Sequence, residues 1–245
     1  AEDPNNTSTR EELDRIAASA GAWQSLVEVY EQLTASAEDP TVLVLLHTRA
    51  AQIREEYLND VPSAIAHHQK VLAVDAANLE AATALERLYQ ASERYEDLAK
   101  TFLTKATLLP EPEGQREYLF RAGALYEELL ERPESAIEVY ERVLSIDAED
   151  AGALDKLIQL HLRLRQWEKL LAVYGRKADV VADPEEKKHL YLEVGTVYER
   201  ELRQPEKAIE TYQRVLDLDP DDMAALSQLD ALYQSTDRSE DLLAV

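Results

Sequence analysis

The chain has 245 residues, 45% of them apolar, which is ample for a buried interior and argues against disorder. Its formal charge of −23 at pH 7 repels nucleic-acid phosphates and anionic membrane surfaces. With no cysteine there is no disulfide framework, thiolate metal site or cysteine nucleophile, and no apolar run reaches the roughly 18 residues of a membrane span.

Helix signals follow one another along the whole chain. Thr9-x-x-Glu12 reads as a capping box for a first helix running to about Ala20, which Gly21 breaks. Trp23 opens a second helix, with Leu26, Val27 and Tyr30 at helical spacing. Asp39-Pro40 pairs an N-cap with Pro at the first helical position, where the missing amide costs nothing, and starts a third helix to about Leu58. Val61–Val74 is the fourth. Further helices are predicted near Leu79–Ala91, Tyr95–Leu108, Glu113–Leu130, Pro133–Ile146, Glu149–Leu164, Gln166–Val181, Pro184–Glu201, Pro205–Leu218 and Asp221–Ser235. A stub from Ser239 completes 14 helices in seven hairpins, whose short connections lay successive helices antiparallel.

The order is periodic. Ile65, Ile137 and Ile209 stand at a constant interval of 72 residues in AIAHHQKVLAVD, AIEVYERVLSID and AIETYQRVLDLD. A fixed period of this kind marks stacked supersecondary units, here two hairpins per period. The opening Ala1-Glu2-Asp3-Pro4 aligns with Asp219-Pro220 three periods later, so both ends are expected to be cut from a longer array.

Around this frame the chain resembles the tetratricopeptide repeat family, whose pattern is W-x2-L-G-x2-Y, A-x3-F and P. Tyr191-x2-Val194-Gly195-x2-Tyr198, Ala208-x3-Tyr212 and Pro220 match it. So do Leu119-x2-Ala122-Gly123-x2-Tyr126 and Ala136-x3-Tyr140. Earlier, Ala51 replaces the Gly and His68 the aromatic residue. Alternate hairpins are degenerate, carrying Glu86, Ile158 and Asp230 at the small-residue position, while Trp23, Tyr95 and Trp167 are expected to fill a wider gap there. From Gly195 to Ala208 is one residue longer than the family spacing, which predicts a longer turn at Pro205 and Pro133. The resemblance implies an all-α, right-handed superhelical solenoid over residues 1–245, with first helices lining a concave groove and each hairpin covered by its neighbours.

It also implies a non-enzymatic scaffold that binds a partner protein or peptide in that groove, with no cofactor. On family geometry the groove receives Glu55, Glu56, Glu127, Glu128, Glu199 and Arg200, with Phe120 and Leu192 as apolar neighbours. Gln90, Leu162 and Gln234 come from the alternate hairpins. An acidic ridge of this kind suits a basic or mixed basic–apolar segment; an ordinary solvated face is the plainer reading. The alternative function is a spacer or self-assembly module stacking end to end, through residues such as Leu242 and Leu243. A nucleic-acid-binding helical repeat runs against the charge.

Catalytic and metal signatures are missing. His67 and His68 point about 100° apart on a helix, His47 and His189 read as isolated, and His161 falls at a packing position. Asp217–Asp222 lacks the Gly and the bidentate Glu of a calcium loop and reads as a turn plus N-cap. Six scattered Gly build neither a phosphate loop nor a nucleophile elbow.

Overall fold

Proline and carboxylate pairs set where many helices begin. Asp39, Asp183 and Asp222 each accept a bond from a first-turn amide, and Pro40 and Pro184 follow the first two. The computed structural model describes residues 7–236, which are helical throughout apart from short connections, with no strand among them. In order the α-helices are α1 Thr7–Ala20, α2 Trp23–Ser36, α3 Pro40–Glu56, α4 Val61–Val74, α5 Leu79–Ala91, α6 Tyr95–Leu108 and α7 Pro112–Ala124. They continue as α8 Pro133–Ile146, α9 Ala151–Arg163, α10 Trp167–Val180, α11 Pro184–Thr196, α12 Pro205–Leu218 and α13 Met223–Ser235. The stub from Ser239, with Leu242 and Leu243, lies outside the described residues, as does Ala1–Pro4. Because α1 is already helical at Thr7, Thr9 is not its cap.

By its contacts the chain divides into two compact units, Ala1–Arg132 and Pro133–Val245. Within each unit a helix packs mainly on its neighbours in sequence: α1 on α2 through to α6 on α7, and α8 on α9 through to α12 on α13. Leu26, Val27, Tyr30, Leu46, Ala50 and Ile53 form one interior of the first unit, with Trp23 against it. Trp23 also stacks on Tyr57 with ring centroids 3.7 Å apart. In the second unit Ile209, Tyr212, Val215, Leu229 and Tyr233 form one interior. Leu170, Tyr174, Leu190 and Val197 form another, with Trp167 and Ile158 packed on it. Burying such side chains contributes roughly 1.5–3 kcal/mol each.

The residue that exceeds the family spacing is not taken up by a longer turn. After α7 and α11 the backbone winds into π turns, Leu125–Leu129 and Val197–Glu201, which absorb one extra residue. Leu130 and Leu202 accordingly donate five residues back, and Arg132 and Gln204 donate six back. In the alternate hairpins Arg94 and Gln166 close the helix with a bond only five back, the Schellman pattern. Each of these turns holds one residue in the left-handed region: Asn59, Glu93, Glu131, Arg165 and Arg203 (φ 50 to 55°), with Gly21 (φ 65°) after α1. Only at Gly21 does a glycine relieve the steric cost.

The small-residue positions are built in three ways. At Gly195 the α11 backbone lies against the Tyr212 ring, and a Cβ there would stand 2.7 and 2.8 Å from Cζ and Cδ1. At the aligned positions of α3 and α4, Ala51 takes the place of the glycine and the smaller imidazole of His68 that of the ring. At Glu86 close approach is replaced by charge. Its carboxylate accepts from Lys105 and from Arg121, both at 2.6 Å, and Lys105 is 4% exposed.

Candidate functional site

The first helices present a surface that recurs at the 72-residue period with different chemistry each time. Counting from the proline or cap that starts each helix, α3 presents Thr41, Val44, Leu45 and Thr48. α7 presents Glu113, Arg116, Glu117 and Phe120, and α11 presents Glu185, Lys188, His189 and Leu192. The hollow on α3 is nearly neutral, lined also by Arg49, Gln52 and Glu80. Its Arg49 is tied to Asp14 of α1.

The hollow on α7 is acidic. Glu111, Pro112, Glu113, Arg116, Glu117 and Phe120 line it. Three carboxylates, Glu111, Glu113 and Glu117, are exposed and have no ion-pair partner among the described residues, and Phe120 is half-buried beside them. One helical turn separates Glu113 from Glu117 and the next reaches Phe120, so the three share a face.

On α11 the same frame is occupied by an internal ion cluster. The Lys188 ammonium lies 2.8 Å from Asp219, 3.0 Å from Glu185 and 3.2 Å from Asp222, and these carboxylates hold its pKa well above the ordinary lysine value. An ammonium group thus fills the Asp217–Asp222 turn, whose Asp222 also caps α13 through the amides of Ala224 and Ala225.

The residues assigned to the ridge separate into two kinds. Glu55, Glu127 and Glu199, which share one frame, are half-buried. The Glu55 carboxylate is gripped by Arg87 of α5, with one oxygen 2.7 Å from Nη2, and that guanidinium keeps its pKa below the usual carboxylate range. Glu199 accepts a 3.0 Å hydrogen bond from the Tyr212 hydroxyl. Glu56, Glu128 and Arg200 are exposed, as are Gln90, Leu162 and Gln234. Leu192 packs against the α12–α13 interior and is not free for a partner along its whole length. Phe120, Glu127 and Glu128 lie on α7 and its π turn; Glu55 and Glu56 end α3; Leu192, Glu199 and Arg200 belong to the second unit. Glu111, Glu113 and Glu117 were not identified from the sequence, although the 3–4 spacing back from Phe120 is a signal that finds Glu117 and Glu113.

His47 is not isolated. Its Nδ1 lies 3.1 Å from Nδ1 of His67, whose Nε2 lies 3.1 Å from Glu31 Oε1. A carboxylate only accepts, so in the neutral pair His67 donates from Nε2 and His47 donates from Nδ1 to His67. Glu31 also pairs with Arg54 at 2.8 Å, and Arg54 with Asp60 at 3.1 Å. Burial pushes the His47 pKa down to about 4, helped by His67 and Lys70, and lowers those of His67 and His68. His189 is exposed, 3.9 Å from Glu193. No group of three His, Asp or Glu among the described residues is arranged to hold a metal ion. No described helix is long and apolar enough to cross a membrane.

Comparison with known proteins bears on the repeat itself. A tetratricopeptide repeat family model matches residues 117–150 and 189–222. No curated protein matches the chain. Among solved structures, MamA is 17% identical over 78% of this chain and 88% of its own, with a TM-score of 0.40. YrrB, described as a TPR protein with an unusual peptide-binding site, is 19% identical over 84% of this chain and 96% of its own, TM-score 0.38. PilF of Pseudomonas aeruginosa is 17% identical over 84% and 95%, TM-score 0.37. The matched segments coincide with the hairpins that keep Gly123 and Gly195 at the small-residue position, and the chain is an all-helical array in which those two stretches match the tetratricopeptide repeat family.

Proposed function

We propose that the chain is a non-enzymatic scaffold that holds a partner protein or peptide on its first-helix face, and that the acidic hollow of α7 receives a basic segment bearing an apolar side chain. The observation that carries this reading is the group of three exposed carboxylates, without ion-pair partners among the described residues, that share a hollow with half-buried Phe120. Apolar contact with Phe120 anchors the segment, and complementary charge selects it and speeds encounter. Exposed Glu128 adds a further carboxylate about two turns beyond Phe120. Glu56 and Arg200 offer separate contacts on their own hairpins, while Glu55, Glu199 and Leu192 act through the packing that holds those surfaces. Rim pairs contribute only about 0.2–1 kcal/mol each, so low-micromolar affinity needs the apolar anchor as well. A fluorescein-labelled Lys-Leu-Arg-Phe-Lys peptide tests this against the native chain and the Glu113→Lys/Glu117→Lys variant. Binding weakened at least tenfold by the reversal supports the reading; unchanged affinity removes it.

A second reading, end-to-end self-assembly, is favoured by one observation. Helix α1 exposes Leu13 and Ile16, one turn apart, at 36% and 50%. Sedimentation that depends on concentration in the native chain and not in Leu13→Glu/Ile16→Glu supports stacking through α1; a monomer at all concentrations excludes it.

A further inference from the structure

Helices α10 and α12 leave a cleft between them, floored by α11 and its π turn, all inside the second unit. We propose that this cleft is a second binding site, independent of the α7 hollow and opposite to it in preference. Its ligand is a short extended peptide segment with an acidic residue beside an aromatic or aliphatic one.

The cleft encloses about 360 Å³, within the range of ligand pockets. Leu171, Tyr174, Tyr191, Val194 and Tyr198 make it apolar and aromatic. It continues into an adjoining hollow that shares Leu171, Tyr198 and Lys207 and ends at Glu168 and Gln204. From Glu168 to Ala178 along α10 is about 15 Å at 1.5 Å per residue, the length of four or five extended residues. That shape suits a strand of peptide rather than a compact metabolite.

Three features of the walls are unexplained by the protein's own packing. Gly175 sits inside α10, where glycine weakens a helix, yet a Cβ there would meet no atom within 4 Å. Gly195 is excused by the ring pressed against it; Gly175 has no such neighbour, and its bare backbone opens the cleft wall. The phenol of Tyr174 is 6% exposed, and its hydroxyl has no hydrogen-bond partner among the described residues. The hydroxyls of Tyr191 and Tyr198 likewise have none. Burial pushes the Tyr174 pKa up to about 12, so this hydroxyl remains a donor at neutral pH.

The charge complements these donors. Lys207 and Arg214 are exposed on α12 and neither has an ion-pair partner among the described residues, in a chain with 49 acidic and 26 basic side chains. Lys207 lies 5.5 Å over the Tyr198 ring, where its ammonium meets the ring face and stays open to a carboxylate. Glu210, between the two cations, is the single acid lining the main chamber. Phenol, ammonium and guanidinium donors around an apolar floor together fit a carboxylate set next to an apolar side chain.

The test uses the full chain and fluorescein-labelled Asp-Phe-Glu-Leu-Asp, with Asn-Phe-Gln-Leu-Asn as its neutral counterpart. The acidic peptide is expected to bind at least tenfold more tightly than the amide. Gly175→Leu, which fills the open wall, is expected to abolish binding while the melting temperature stays level or rises. Lys207→Glu/Arg214→Glu should weaken it at least tenfold, and Glu113→Lys/Glu117→Lys should leave it unchanged. Equal affinity for the two peptides, no binding of the acidic one, or full binding by Gly175→Leu overturns the proposal.

Discussion

Hairpins α3–α4 and α11–α12 occupy the same place in the 72-residue frame and solve the same packing problem with different residues. In α11–α12 the first helix carries Gly195, which lets the Tyr212 ring lie against its backbone and reach Glu199 with its hydroxyl. In α3–α4 the first helix carries Ala51 and the aligned ring is the smaller His68, 5% exposed, whose Nδ1 is buried with no hydrogen-bond partner among the described residues. The carboxylate at the aligned position, Glu55, turns instead to Arg87 of α5. A methyl group gained on one helix is matched by a smaller ring on the other, and the polar end of the ring site is re-wired. Interior positions therefore change in compensating sets, whereas outer positions such as Thr41, Glu113 and Glu185 vary freely. The frame supplies the architecture, and each hairpin's outer face supplies its own binding chemistry.

Breaking the larger-ring version is the strongest perturbation. Tyr212→Ala removes a ring that is 1% exposed and strands Glu199, and should cost about 4 kcal/mol in urea unfolding followed through Trp167. Acid should separate the two hairpins next. Histidines held neutral by burial contribute stability that is complete above the unfolded value near 6.5 and is lost as pH falls toward the folded one. For His47, lowered to about 4, the loss approaches about 3 kcal/mol. The unfolding midpoint reported by Trp23 in a Trp167→Phe background should fall between pH 7 and 5. That reported by Trp167 in a Trp23→Phe background should change much less, because the residues aligned there with His47, His67 and His68 are Tyr191, Thr211 and Tyr212, none of them an imidazole. Equal shifts at both reporters would contradict the assignment.

Gly195→Ala adds a methyl group against the Tyr212 ring and should cost about 2 kcal/mol, even though alanine is the better helix former. Adding Tyr212→His, which copies α3–α4, should recover part of that loss; strictly additive costs would show that the two positions are not coupled. The smallest effect is at the turns. Arg203→Gly relieves a left-handed residue (φ 53°) and should stabilise by up to about 1 kcal/mol, read as a higher urea midpoint.

Much of the fold is legible in the residues because helix starts and the period are local signals. The bounds of α4, α5, α6, α8 and α12 follow from Pro, caps and apolar spacing without correction. The π turns are not legible, because an inserted residue looks the same in sequence whether it joins a helix or a loop. Left-handed turn residues are equally hidden, since Glu93, Glu131, Arg165 and Arg203 have no intrinsic leaning to that conformation. Of the candidate surface, Phe120 and Glu128 could be placed from the frame. The engagement of Glu55 by Arg87 and of His47 by His67 could not, because those partners lie 32 and 20 residues away on other helices. Net charge also misleads locally: a chain at −23 still has unpaired cations at the α12 side of a cleft.

Amide chemical-shift mapping of the full chain with Lys-Leu-Arg-Phe-Lys tests the proposed scaffold role most directly. Shifts clustered between Glu111 and Glu128 on α7, diminishing as salt rises, are the predicted result. Shifts clustered on other helices, or none at millimolar peptide, would contradict it.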